Sequence, residues 1–295
     1  MDTRYVQSFV TVIECGSLAE AARRLNLTPA AIAARVKALE EELGVALVKR
    51  AGRNVKATEA GLKIMDRARQ VLREVRDLHA TATDDAPLGE FRLGASTSAL
   101  IGLLPPVLLR LYATHPKLAV FVEPGTSHDL YHQATAGNLD AAIIVQPQFA
   151  IPKEYEWRPL AEEPLVVLAP AHLAGSDPHA VMASEPFIRY DRSVWGGRMA
   201  DRYLRQHSIH PHERLEIDGL MAISALVAQG LGVSLVPNWA PAWLDSLPLA
   251  KLPLPEPVPV RRMGLLWASR APHAQLARLF LECARAELGL TSEAD

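Results

Sequence analysis

Leu25-Asn-Leu-Thr-Pro-Ala-Ala-Ile-Ala-Ala-Arg-Val-Lys-Ala-Leu-Glu-Glu-Glu-Leu-Gly44 carries its own start and stop signals. Thr28 is a residue type whose side-chain oxygen caps helix N-termini, Pro29 suits the first helical position, and Gly44 suits the exit. Between them Ile32, Val36, Leu39 and Leu43 recur at helical spacing and predict one buried stripe. The face turned away is built on Ala30, Ala34 and Lys37. Alanines on an exposed face beside a helix N-terminus let something large come close to the backbone.

Upstream, Val6, Phe9, Val10 and Ile13 form an apolar helical stripe that stops before Gly16. Ser17-Leu-Ala-Glu20 has the spacing of a capping box, in which Ser and Glu satisfy each other's orphan backbone donors. It opens a short second helix with Leu18, Ala21, Ala22 and Leu25 inside, and Asn26-Leu27 turns tightly into the helix at Thr28. Two helices joined by so short a turn match helix-turn-helix geometry. Downstream, extended pieces at Val45 to Val48 and Val55 to Ala57 flank Lys49-Arg-Ala-Gly-Arg-Asn-Val-Lys56, four cations in eight residues around a Gly turn. That is the pattern of a β-hairpin wing able to lie along a phosphate backbone. Thr58 then caps a long helix from Glu59 to about Thr81. Its stripe of Met65, Ala68, Leu72, Val75 and His79, flanked by Ile64, Val71 and Leu78, is too wide for a solvated linker. It requires a partner, either a second copy or a neighbouring domain. Residues 81–89 form a hinge by composition.

From Phe91 the texture changes to strands alternating with helices. Strands are expected at Phe91–Ala95, Ala119–Val122, Leu139–Val145, Leu165–Leu168, Phe187–Tyr190, Leu215–Ile217, Val233–Val236 and Gly264–Ala268. Helices are expected over about Ile101–Thr114, Ser127–Ala136, Val194–Gln206, Gly219–Gln229 and Pro272–Leu288. Repeated βα units imply open, largely parallel sheets, and about 200 residues of them divide more comfortably into two lobes than one.

The net charge of −2 hides an asymmetry. Residues 1–80 hold 14 Lys and Arg against 10 Asp and Glu; the remainder holds 17 against 23. A polyanion is therefore expected at the front. Cys15 and Cys283, far apart, make no disulfide framework and fit a reducing compartment. Asp2, Arg4 and Gln7 break any apolar leader, and no run approaches the roughly 18 apolar residues of a membrane span. The expected setting is cytoplasmic, with no membrane partner. No Gly-x-Ser-x-Gly, Walker loop, dinucleotide fingerprint or Cys-x-x-Cys is present, so nothing recommends an enzyme, and no cofactor is expected. His128-Asp-Leu-Tyr-His132 has the i, i+4 spacing that places two imidazoles on one helix face, and His207-Ser-Ile-His-Pro-His212 is also His-dense. Neither has a third ligand clearly placed, and no metal is expected.

Gly16-Ser17-Leu18, Ala21-Ala22, Leu25, Leu39-Glu40, Leu43-Gly44, Arg50, Arg53 and Thr58-x-x-Gly61 resemble the N-terminal signature of LysR-type transcriptional regulators. The likeness continues through Gly102-Leu-Leu-Pro105, Gly137-x-Leu-Asp140 and Val227-Ala-Gln-Gly-Leu-Gly-Val-Ser-Leu-Val-Pro237, covering essentially the whole chain. The resemblance implies an α/β multidomain protein with three parts. These are a winged helix-turn-helix DNA-binding domain at 1–58, a linker and dimerisation helix at 59–83, and a two-lobed, periplasmic-binding-protein-like effector domain at 84–295. Lobe 1 would take about 90–162 plus 266–295, and lobe 2 about 163–265. It implies double-stranded DNA, a small-molecule effector and a homodimer or tetramer (a dimer of dimers) as partners. The sequence departs from the family at Ala33-Ala34, where Ser-Arg is common, and at Val48, where Phe is common; Arg35 lies one position beyond the missing Arg.

On this reading Thr28, Pro29, Ala30, Ala33 and Ala34 form the surface that approaches the major groove, with alanine methyls able to touch thymine methyls. Arg35 and Lys37 reach phosphates or guanine edges, and Arg53, at the wing tip, is the first choice for a minor-groove or phosphate contact, with Lys49, Arg50 and Lys56 beside it. Glu40 to Glu42 keep the C-terminal half of the helix off the DNA. In the back domain Ser96, Thr97 and Ser98 follow the first strand and Thr126 the second, so hydroxyls and backbone N–H groups of two strand-to-helix junctions converge on a cleft suited to a carboxylate. Gln146 ends the third strand. Arg192, Trp195 and Arg198, at a junction in the second lobe, supply a cation for an anionic effector and an aromatic wall.

Overall fold

The computed structural model describes residues 1–51, 54–82, 90–239, 246–271 and 273–290. It divides into two compact units, Met1–Gly89 and Glu90–Asp295.

The first unit contains α1 (Thr3–Cys15), α2 (Leu18–Arg24), α3 (Pro29–Leu43), β1 (Val48–Ala51), β2 (Asn54–Ala57) and α4 (Glu59–Ala82). The helix starts are fixed by side chains: Asp2 accepts from the Arg4 amide, and Thr28 Oγ1 accepts from the Ala31 amide at 3.2 Å. At Ser17 only half of the expected capping box forms. Ser17 Oγ accepts from the Glu20 amide at 3.4 Å, but the Glu20 carboxylate turns to Arg23, a cation one turn along the same helix. Phe9, Val12, Ala21, Ile32, Leu39 and Leu47 form the core, closed by Met65 and Ala68 of α4. Leu43, expected in the buried stripe, is 43% exposed. α3 outruns the core in its last turn before Gly44 (φ 68°) takes the left-handed exit.

β1 begins at Val48, later than expected. The reason is Glu40, whose Oε1 accepts from the amides of Leu47 and Val48 at 2.6 and 2.9 Å and so pins the chain leaving α3. Thr58 Oγ1 donates to the Ala46 carbonyl at 2.7 Å and accepts from the Gly61 amide at 3.1 Å. At Gly61 a Cβ would stand 2.2 Å from the Leu47 carbonyl oxygen, so α4 can pass this close only because residue 61 has no side chain. The first half of α4 thus finds its partner inside its own unit. Farther along, Val75 is half-buried and Leu78 is 71% exposed. The His79 side chain and residues 83–89 of the expected hinge lie outside the described residues.

The second unit begins with β3 (Glu90–Ala95), α5 (Thr97–Gly102), α6 (Leu104–Thr114), β4 (Ala119–Pro124), α7 (Ser127–Thr135) and β5 (Ala141–Val145). It continues through β6 (Tyr155–Pro170), α8 (Pro178–Ser184), β7 (Pro186–Tyr190), α9 (Trp195–Gln206), β8 (His212–Ile217) and α10 (Leu220–Ala228). It ends with β9 (Ser234–Pro237), β10 (Leu249–Pro253), β11 (Val260–Ala268) and α11 (Ala274–Glu287). The expected single helix before Thr114 is two helices that meet at Leu103. Pro105 and Pro106 sit in the first turn of the second, where a missing N–H costs nothing.

The expectation of largely parallel sheets is corrected. β3 pairs parallel with β4 and β5, and β7 parallel with β8. β11, however, runs antiparallel to β5 and β6, and β6 runs antiparallel to β9 and β10. The cause is that β6 is one long strand that serves both lobes, pairing with β11 over its first part and with β9 and β10 over its second. Leu160 of β6 belongs to the core around Phe91, Ile143, Leu265 and Phe280; Leu165 and Val167 belong to the core around Phe187, Tyr203 and Leu235. On the return, Val258 packs against the second core while Met263 of β11 lies in the first.

Candidate functional sites

On the first unit, Thr28, Pro29, Ala30, Ala33, Ala34 and Lys37 are exposed and Arg35 is half-buried. The α3 face is therefore backbone and methyl groups near its start, with Lys37 spanning 3.4 Å to Glu41 one turn on. Beside it, β1 and β2 pair Lys49 with Lys56 and Arg50 with Val55. Val55 is buried, and its amide donates to the Gly16 carbonyl at 2.8 Å, so the hairpin base is fixed to the end of α1. Lys49, Arg50 and Lys56 are exposed and, among the described residues, have no ion-pair partner. Like charges directly opposite across a hairpin repel, and an anion laid against Lys49 and Lys56 relieves that repulsion. Arg53 lies outside the described residues.

In the second unit a cleft of about 330 Å³ opens between the lobes, lined from β3–α5 by Ser96, Thr97 and Ser98, from the start of α7 by Thr126 to Asp129, and from α9 by Trp195 and Arg198. Ser96 Oγ is buried and has no hydrogen-bond partner among the described residues. Ser98 Oγ accepts from Arg261 Nη2 at 3.3 Å. Thr126 serves as an N-cap: its Oγ1 accepts from the Asp129 amide at 3.2 Å and donates to Asp129 Oδ2 at 2.8 Å. That hydrogen bond, with a second from His128, holds the Asp129 carboxyl below its ordinary range. Trp195 opens α9, is buried with the first-lobe core, and faces Tyr131 and Phe149 at 6.4 and 6.0 Å between ring centroids. Arg198 Nη2 donates to the Ser193 carbonyl at 3.0 Å and lines the cleft.

Two expected residues stand apart from the cleft lining. Gln146 follows the C-terminal end of β5, its amide donating to the Arg262 carbonyl at 2.8 Å. Arg192 is spent on Glu216, with Nε–Oε1 at 3.0 Å and Nη2–Oε2 at 2.6 Å. The pairing raises the guanidinium and lowers the Glu216 carboxyl to about 2. The cation at the floor is instead Arg261, 2% exposed, whose Nε donates to Glu163 Oε2 at 2.5 Å. Next to it burial pushes the Tyr190 phenol above its ordinary range, and Arg261 pulls the other way. Sequence reasoning missed Arg261, Tyr190, His128, Asp129 and Asp218 as lining residues. A signal for Arg261 exists: a cation three residues before Gly264-Leu-Leu-Trp267, inside a strand otherwise built to be buried.

Of the histidine segments, His207 stacks on Tyr203 at 4.0 Å between centroids and His179 Nε2 lies 2.7 Å from the Tyr203 hydroxyl. Among the described residues no three His, Cys, Asp or Glu side chains converge on one point, and no helix is long and apolar enough to cross a membrane.

Residues 3–62 match the family model of the bacterial regulatory helix-turn-helix protein, lysR family, and residues 84–289 match the LysR substrate binding domain. The HTH-type transcriptional regulator YnfL of Escherichia coli is 28% identical over 290 residues, covering 95% of this chain and 96% of that protein. Among solved structures, full-length OxyR from Pseudomonas aeruginosa superposes with a TM-score of 0.70 at 24% identity, over 100% of this chain and 99% of that one. Full-length CbnR complexed with its target DNA gives 0.69 at 20% identity, over 97% and 100%.

Proposed function

Since the chain belongs to the LysR-type DNA-binding transcriptional regulators, with an effector-binding domain behind the helix-turn-helix, we propose that it reads its operator through the N-terminal half of α3 and the β1–β2 wing. On this proposal the protein responds to a small carboxylate held between the lobes. The observation that carries the first part is the pairing of an alanine-surfaced, capped helix start with a hairpin of unpaired cations fixed beside it. The alanines admit the groove edge and the wing cations replace counterions on the phosphates. CbnR, whose complex with target DNA has the same fold, supports the assignment by analogy. From its position in the sequence of the wing, Arg53 is part of the same proposal as a minor-groove or phosphate contact.

For the effector, the supporting feature is a floor with a buried guanidinium, a hydroxyl bound to it and a second hydroxyl left unpaired. A carboxylate accepts from Ser96 and from the Ser98–Arg261 pair, with Arg198 at the entrance. The exposed continuation of α4 serves as the seam between two copies, and a dimer or dimer of dimers follows. Effector control then requires the carboxylate to bind one quaternary arrangement better than another.

The DNA flanking the gene is the first probe. Footprinting and fluorescence anisotropy compare the wild type with Ala34→Glu and with the Lys49→Glu/Lys56→Glu pair. Both variants should keep their melting temperature and lose duplex affinity at least about tenfold at moderate salt. Unchanged binding in both would remove α3 and the wing from the interface. For the cleft, a panel of small carboxylic acids is screened by thermal shift; Ser98→Ala and Arg198→Met should weaken whichever response the wild type shows. A response untouched by either variant places the effector elsewhere.

A further inference from the structure

His128 and His132 stand one turn apart on the exposed side of α7. Their Nε2 atoms approach to 3.2 Å, with ring centroids 4.5 Å apart and planes inclined by 68°. Two imidazole nitrogens each about 2.0–2.1 Å from one tetrahedral ion lie about 3.3 Å from each other. The pair already has the bite of a chelate.

Two further contacts favour this over a simple shared proton. On the far side of the His128 ring, Nδ1 lies 3.5 Å from Asp129 Oδ1, and Asp129 is itself held by the Thr126 hydroxyl at 2.8 Å. A carboxylate there keeps the proton on Nδ1 and leaves the Nε2 lone pair directed at His132, as carboxylates do when they orient metal-bound imidazoles. The buried Tyr131 meets the His132 ring edge-on at 5.6 Å between centroids, which limits the rotation of the second ligand. Both imidazoles, the carboxylate and the aromatic ring thus come from the span 128–132 of one helix, with Thr126 at its N-cap, and His128 also lines the cleft.

We propose that His128 and His132 form a two-imidazole site for a divalent ion of the late first-row class, Zn²⁺, Ni²⁺ or Cu²⁺, at the rim of the cleft. Imidazole suits these ions, whereas Mg²⁺ and Ca²⁺ demand oxygen ligands. Because no third such side chain converges there among the described residues, the remaining coordination positions belong to water or to oxygen ligands from solution. Both imidazoles must shed their protons to bind, so the site empties in acid.

The test uses the full chain, stripped of metal and titrated with Zn²⁺ alone against a competing chromophoric indicator, beside His128→Gln, His132→Gln and the double variant. At about pH 7.5 the wild type should bind one Zn²⁺ more than the double variant, or bind it at least about tenfold more tightly, and the difference should vanish near about pH 5.5. His179 and His207 are present in every protein compared and cancel. Either single variant should lose most of the difference, because a chelate needs both rings. Equal stoichiometry and affinity in wild type and double variant would overturn the site. Should a variant melt early, acylation of the wild-type imidazoles mapped by mass spectrometry replaces it: Zn²⁺ should protect His128 and His132 together, and failure to protect either is equally decisive against the site.

Discussion

Arg192 and Arg261 show how much a residue's surroundings decide and how little its letter does. Both are arginines near a strand-to-helix junction or crossover of the second unit, and the sequence pointed to the first. Arg192 sits on the surface clamped to Glu216, while Arg261 lies at the cleft floor against Glu163 and Ser98. What each arginine pairs with could not be read locally, because the partner carboxylates are 24 and 98 positions away in the chain; only the burial of the strand around Arg261 marks it in the sequence. Each pair makes a prediction. Glu163→Gln leaves a buried guanidinium short of its counter-charge and should lower unfolding stability by about 3 kcal/mol in urea titrations. Replacing both partners together, Arg261→Met with Glu163→Met, should cost clearly less. Glu216 has a folded pKa of about 2 against an ordinary 4.5. A depressed carboxyl stabilises the fold fully above about pH 4.5 and loses that contribution as the pH falls towards about 2. Wild-type urea midpoints should therefore drop more between pH 5 and pH 3 (both about) than those of Glu216→Gln, by a small amount because the pair is partly exposed.

Among the elements, those announced by capping residues and 3.6-residue periodicity were legible, and those created by distant pairing were not. α3 and α4 could be read because Thr28, Gly44 and Thr58 act on their own neighbours, and α1 because its apolar stripe stops at Gly16. The first half of β6 and all of β10 escaped notice, since their alternation is broken by prolines and charges and their identity comes from β11 and from β6. The start of the wing strand was misplaced for the same reason, as Glu40 reaches seven positions forward to set it. The fit of α4 on that wing base depends on Gly61. Gly61→Ala would drive a methyl into the Leu47 carbonyl, and the resulting strain should cost about 2 kcal/mol. Chemical denaturation of the full chain, read by a probe in the first unit, should register it, and duplex affinity should fall with it; a neutral Gly61→Ala would show that α4 has room to shift.

At the scale of the whole molecule, the charge asymmetry read from composition corresponds to a division of labour between two units that each carry their own core. The cationic excess of residues 1–80 includes exposed side chains on the wing, Lys49, Arg50 and Lys56, that have no ion-pair partner among the described residues, whereas many arginines of the second unit are committed to carboxylates. Salt should therefore weaken duplex binding steeply while leaving the second unit's stability nearly unchanged. A fragment beginning at Glu90 should melt in a single calorimetric transition, with van't Hoff and calorimetric enthalpies in agreement. Two separate transitions would mean that the lobes fold independently despite sharing β6.

The shared strand β6 also dictates how the chain can be dissected. A gene segment encoding only the second lobe would begin partway along that ribbon, leaving the severed end without the neighbours that hold it flat. Such a product should be recovered as insoluble material, whereas a segment that begins at Glu90 keeps the ribbon whole and should remain soluble.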